Sequence, residues 1–206
     1  MGRNREINQV IKEERRERIL YGALELFALN GLAGTKISDI ARHTNMSNGL
    51  VYHYFASKED IFIELTRTAL ERMLAACRYL ENLDLPPHKK IRYAMDELVK
   101  TIRTKPEAGY YHLLIAQAAA STGVPAEVKV LLNTKRAIPY DTIAGIISQG
   151  QKLGTIRQGR AEDLAFFFWN NINGIALHQV MYGKSARCPH LSTLYHMFFT
   201  REAENG

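Results

Sequence analysis

Between residues 35 and 58 the chain places three helix-capping signals around one forced turn, a pattern that leaves no room for a strand or a long loop. Ile37, Ile40 and Ala41 recur at helical spacing, with Thr35 placed ahead of them as an N-cap. Thr44-Asn45-Met46 follows, and Asn45 stands where a left-handed backbone is wanted, which Asn tolerates better than most residues. Ser47 is positioned to cap a second short helix. In that helix Val51, Tyr54 and Phe55 face inward and Asn48, Gly49, Tyr52 and His53 face out. Ser57, with Glu59 and Asp60 in the next turn, opens a long third helix. The spacing therefore predicts two short helices joined by a tight turn and held between two longer ones.

A short outward-facing helix on such a support is suited to lying in the major groove of DNA. Residues 18 to 62 resemble the DNA-binding domain of the TetR family of one-component transcriptional regulators. The residues that carry the resemblance are Arg18, Ile19, Leu20, Ala23, Leu26, Phe27, Gly31, Thr35, Ile40, Ala41, Ser47, Gly49, Tyr52, Phe55, Ser57, Lys58 and Glu59, in order and at the family's spacing. Asn45 departs from it where the family usually has Gly, Leu50 where a small or hydroxylated residue is common, and Lys36 where a second Thr is frequent. The resemblance implies a DNA-binding surface made of Thr35, Lys36, Ser47, Asn48, Gly49, Tyr52, His53 and Lys58. Asn48 and Gly49 would meet bases, since an amide pairs with adenine and glycine lets the backbone come close. Tyr52, His53 and Lys58 would grip phosphates, with Lys36 adding a contact from the preceding helix.

The charge balance agrees with a polyanionic partner: 27 Lys and Arg against 21 Asp and Glu leave a net +6. A solvated basic surface would give the same number. Arg15, Arg16 and Arg18 alternate with Glu13, Glu14 and Glu17 at spacings that pair on a helix. Arg3 and Arg5 are expected ahead of that helix, where they could reach a neighbouring minor groove. Cys77 and Cys188 have no disulfide or ligand spacing, and no signal peptide or long apolar run is present. A cytoplasmic protein without membrane span, metal or cofactor is expected.

Beyond residue 60 the period stays helical. Helices are expected up to the break at Leu85-Pro86-Pro87, from about His88 to Arg103, and from about Pro106 to Ser121. The segment up to Lys152 is expected to be kinked or divided at Pro139. Residues 161 to 183 are apolar almost all round, and a last helix is expected from about Pro189 to Thr200. The fold class is all-α: an N-terminal three-helix domain with helix-turn-helix over residues 1–60, then a larger helical effector-binding and dimerisation domain over 61–206. The helix beginning at Ser57 belongs to both and would carry signals between them.

The resemblance implies a homodimer whose seam lies in residues 161–200, with Gly174 permitting close approach. The bland alternative is that these aromatics fill the protomer's own core. Tyr110, Tyr111, Gln117, Trp169, Asn173 and His178 are the candidates for an effector pocket, which would take a small, largely apolar molecule. A buried Asn or His satisfied by a neighbouring carbonyl is the competing reading. The seven histidines form no His-Glu-x-x-His pattern, and no nucleophile elbow or glycine-rich phosphate loop occurs, so no enzyme is expected. The expected function is a ligand-responsive repressor that binds a palindromic double-stranded operator as a homodimer. A dimer of the same fold that answers a protein partner or organises the chromosome is the alternative.

Overall fold

The computed structural model describes residues 2–187 and 189–204, without the side chains of residues 2–5, 202 and 204; Cys188 and the Arg3 and Arg5 side chains lie outside the described set. The described chain is helical: α1 (Gly2–Gly34), α2 (Ile37–His43), α3 (Asn48–Tyr54), α4 (Lys58–Asn82), α5 (Pro87–Thr104), α6 (Pro106–Ala120), α7 (Ala126–Lys135), α8 (Ile138–Lys152), α9 (Ala161–Tyr182), α10 (Leu191–Phe198) and α11 (Arg201–Glu204). A 3-10 turn, Gly183–Ser185, ends α9.

Local chemistry sets most of these boundaries. Ser47 Oγ accepts from Leu50 N–H and Ser57 Oγ from Asp60 N–H, each at 3.1 Å, so the two serine caps stand as expected. Asn45 adopts φ 54°, the one positive φ among the described non-glycine residues. Pro139 divides the segment into α7 and α8 and sits in the first turn of α8, where its missing N–H costs nothing.

Four expectations need correction. Thr35 is not the N-cap of α2; Lys36 holds that position, and Thr35 is buried with its hydroxyl donating to Gly31 O at 2.8 Å. That carbonyl is free because α1 breaks at Gly31, where φ 72° is left-handed. Arg3 and Arg5 do not precede the first helix, which already runs from Gly2. Nor is α9 buried on most sides within one protomer, as a helix apolar almost all round should be: Phe166, Phe167, Leu177 and Met181 are 55, 49, 44 and 63% exposed. Finally, the helix expected to reach Thr200 is α10, which closes at Phe198 because the chain turns into an antiparallel bridge between Phe199 and Ile156, and the short α11 follows. Arg157 N–H donates to Phe198 O at 2.8 Å and Thr200 N–H to Thr155 O at 3.3 Å.

Two apolar clusters hold the chain together. One joins Ile19, Phe27, Ile40, Val51 and Phe62 of the first four helices to Leu114, Val128 and Leu132 of α6 and α7. The other joins Met95, Ile147, Phe168, Ile172, Phe198 and Phe199 of α5 and α8 onward. Phe198 and Phe199 are fully buried there and Leu194 nearly so, which takes them out of any seam between protomers. Arg92 stacks over Tyr195 and Phe199, and the Tyr195 hydroxyl donates to Asp96, tying α10 to α5. Burial and that carboxylate push the Tyr195 phenol up to about 12.

Candidate nucleic-acid interface

The short helices α2 and α3 owe their orientation to what they bury. Ile37, Ile40, Ala41, Val51 and Phe55 enter the core against α1 and α4, which forces the opposite faces outward. Ser47, Asn48, Gly49, Tyr52 and His53 are all exposed, Tyr52 at 55%. An exposed tyrosine beside an exposed imidazole and a free amide gives α3 hydrogen-bonding groups without a partner helix. The backbone N–H of Lys36 donates to Asp39 Oδ2 at 3.0 Å, and its own side chain is exposed. Arg42, absent from the sequence-based set, pairs with Asp39 at 2.7 Å while 81% of its side chain stays exposed. The outward position opposite Ile40 and Ala41 was the signal for it.

Two expected contacts are not available in the form foreseen. Thr35 is 1% exposed and its hydroxyl is spent on backbone carbonyls, so it supports the interface from inside. Lys58 Nζ donates to Leu32 O at 2.8 Å and Thr35 O at 2.9 Å. An ammonium has three donors, and two of them here go to carbonyls at and just beyond the end of α1. Lys58 is first a strap between α4 and α1. Arg16 reinforces the same joint by pairing with Glu64 and stacking over Phe55.

The six candidate effector residues do not share one cavity wall. Tyr110 donates to Glu25 Oε1 at 3.3 Å, Tyr111 lies under Arg72, and Gln117 Nε2 donates to Ala28 O at 2.9 Å. All three pack toward the first cluster. Trp169 lies in the second, where its indole N–H donates to Pro139 O at 3.0 Å beside Tyr140. Asn173 is exposed, and His178 stacks on Tyr182 with centroids 4.6 Å apart. A cleft of about 370 Å³ opens instead between α4, α5 and α8, lined by Glu81, Lys90, Ile138, Thr142 and Ile146 among others.

His112 Nδ1 lies 2.9 Å from Asn173 Oδ1, which assigns the ring proton to Nδ1 and ties α6 to α9. Burial holds this imidazole below its ordinary value of 6.5, against the opposing pull of the Asn173 hydrogen bond. His88 is lowered too, by burial and by Lys89 and Arg92. Below pH 6.5 the unfolded chain therefore takes up protons that the folded chain refuses. Stability should be level above 6.5 and fall as the pH drops from there toward the depressed folded value, by at most about 1.4 kcal/mol per pH unit for one group. His112→Gln should melt with a smaller loss between pH 7.5 and 5.5 than the wild type; an unchanged loss would contradict the assignment.

Among known proteins, residues 19–65 match the profile described as bacterial regulatory proteins, tetR family. The HTH-type transcriptional repressor KstR2 of Rhodococcus jostii (strain RHA1) is 28% identical over 166 residues, 81% of this chain and 79% of that protein. The solved structure of the ketosteroid transcriptional regulator KstR2 of Mycobacterium tuberculosis aligns with a TM-score of 0.74 at 20% identity, over 91% of this chain and 96% of the other. The structure of AibR in complex with isovaleryl coenzyme A and operator DNA aligns with a TM-score of 0.68 at 18% identity, over 88% and 94%. At these identities the two structures establish a shared all-helical fold with an N-terminal helix-turn-helix.

Proposed function

The chain belongs to the tetR family of bacterial transcriptional regulators and is not an enzyme, and on that premise we propose a ligand-responsive repressor that binds a palindromic operator as a homodimer. Residues 1–60 form its DNA-binding domain and residues 61–206 its effector-binding and dimerisation domain. The observation that carries the reading is the outward face of α3, where Asn48, Gly49, Tyr52 and His53 stand exposed on a helix capped by Ser47. Exposed Lys36 and Arg42 flank it and supply charge for phosphates. The protein acts in the cytoplasm; no described helix is long and apolar enough to cross a membrane.

The dimer uses the exposed face of α9, where Phe166, Phe167, Asn170, Asn173, Leu177 and Met181 follow the helical period. Gly174 has open space where a side chain would stand, so two such helices can approach closely. One short recognition helix reads too few base pairs to select a site in a genome, and a two-fold dimer doubles the reading.

The effector is a small, largely apolar molecule. A ketosteroid transcriptional regulator shares this fold, which supports that class; of the isovaleryl coenzyme A held by AibR, only the short acyl group is apolar. An effector releases DNA only by binding the released state more tightly than the DNA-bound one.

Selection from random duplexes tests the proposal. It should enrich a palindrome whose half-sites lie about 34–36 Å apart, one DNA turn. Retention of all duplexes without enrichment would contradict it.

A further inference from the structure

Glu25 stands on α1 between α6 and the end of α2, and each carboxylate oxygen serves one of them. From α6, the Tyr110 hydroxyl donates to Oε1 at 3.3 Å. From the last turn of α2, His43 Nε2 lies 3.1 Å from Oε2. The turn Thr44-Asn45-Met46 comes directly after His43 and delivers the chain to the Ser47 cap of α3. We infer that Glu25 is a positioning residue that couples α6 to the recognition turn, so that a displacement of α6 is felt at α3. This rests on the DNA-reading role proposed for α3.

Packing on both sides makes the coupling stiff. A Cβ added at Gly22, one turn before Glu25, would lie 2.5 Å from Thr44 Cγ2 and 3.2 Å from His43 Cδ2, so α1 and the end of α2 are in direct contact there. Thr44 is itself buried and donates to Ile40 O at 2.8 Å. The other joint is equally close. Tyr110, Leu114 and Gln117 recur at i, i+4 and i+7 on α6; Leu114 is fully buried, and Gln117 grips α1 at Ala28 O. On its opposite side α6 holds α9 through His112 and Asn173. Direct contacts therefore run from α9 through α6 and α1 to the turn before α3. That route is separate from α4, the carrier expected from sequence. A packed interface of this kind shifts between discrete arrangements rather than deforming smoothly.

The test needs no effector. Tyr110→Phe removes a hydroxyl alone, and with His43→Ala it forms a double-mutant cycle on binding to a duplex selected by the wild type. Each single change should weaken binding about 3- to 10-fold, the net worth of one hydrogen bond, while Tyr110→Phe melts cooperatively within a few degrees of the wild type. The double variant should bind no worse than the weaker single one, and both changes should be silent in a Glu25→Ala background. Effects that simply multiply would overturn the relay, as would a Tyr110→Phe variant that binds like the wild type. A DNA-free readout separates the two claims. The NMR signal of the His43 imidazole should move in Tyr110→Phe when Glu25 is present and stay put in Glu25→Ala; an unmoved signal overturns the relay. A wild type that enriches no duplex contradicts the DNA-reading role alone, and the imidazole signal then decides the relay.

Discussion

Leu177→Arg is expected to turn the proposed dimer into a folded monomer. Leu177 is 44% exposed on α9, so an arginine there remains solvated in the separate protomer and leaves its fold intact. In a two-fold seam the same residue comes from both sides. Burying an unpaired charge costs about 3–5 kcal/mol, and two are introduced at once. The dimer should loosen by a factor of at least about 100. Sedimentation across a concentration series checks this, with circular dichroism to confirm that helix content is kept. Operator affinity should fall with the dimer, since each half-site is then bound alone. A Leu177→Arg protein that remains dimeric at the same concentrations as the wild type would remove this face of α9 from the seam.

Phe198→Arg should do something different: destroy the fold rather than separate two folded copies. Phe198 has no exposed surface and packs edge-on against Phe168 with centroids 6.4 Å apart. Its carbonyl also accepts from Arg157 N–H at 2.8 Å, so the same residue anchors the C-terminal bridge. Deleting a buried phenylalanine costs about 3–5 kcal/mol before any charge is placed in the hole. A whole domain has only about 5–15 kcal/mol in hand. Phe198→Arg is therefore expected to be unfolded or aggregated. The milder Phe198→Ala should fold, dimerise and melt roughly 6–20 °C lower. A Phe198→Ala protein that melts like the wild type but dissociates would return the residue to the seam.

The contrast between these two aromatic helices shows where sequence stops being informative. A stripe of Phe, Trp and Leu at helical spacing has the same period whether it meets its own chain or a copy. Only the packing reveals that Phe168 and Trp169 turn inward while Phe166 and Phe167 turn out. Short-range features were legible because they obey local rules. Ser47 and Ser57 cap because a hydroxyl three residues ahead of a free N–H has little else to do, and Asn45 takes the left-handed turn. The partners of Lys58 were not legible, for a long-range reason. Its place in the motif does not show that the break at Gly31 leaves carbonyls 2.8 and 2.9 Å from its ammonium. The six pocket candidates share that difficulty: their polar character is visible in sequence, but their partners, such as Glu25 for Tyr110 and Pro139 O for Trp169, come from other helices.

The central claim is that the outward face of α3 reads base pairs, and Asn48→Ala tests it most directly. Asn48 is exposed in the first turn of α3 and bonds nothing whose loss would disturb the fold. Its affinity for the selected operator and for random duplex should be measured at one fixed salt concentration, since phosphate contacts make both depend on salt. If Asn48 pairs with a base, the operator affinity should drop by about 1–3 kcal/mol and random-duplex affinity hardly at all. The ratio of the two then falls by roughly 5- to 150-fold, with choice relaxed at one base pair per half-site. An Asn48→Ala protein that binds operator and random DNA in the wild-type ratio would contradict base reading by this face of the helix.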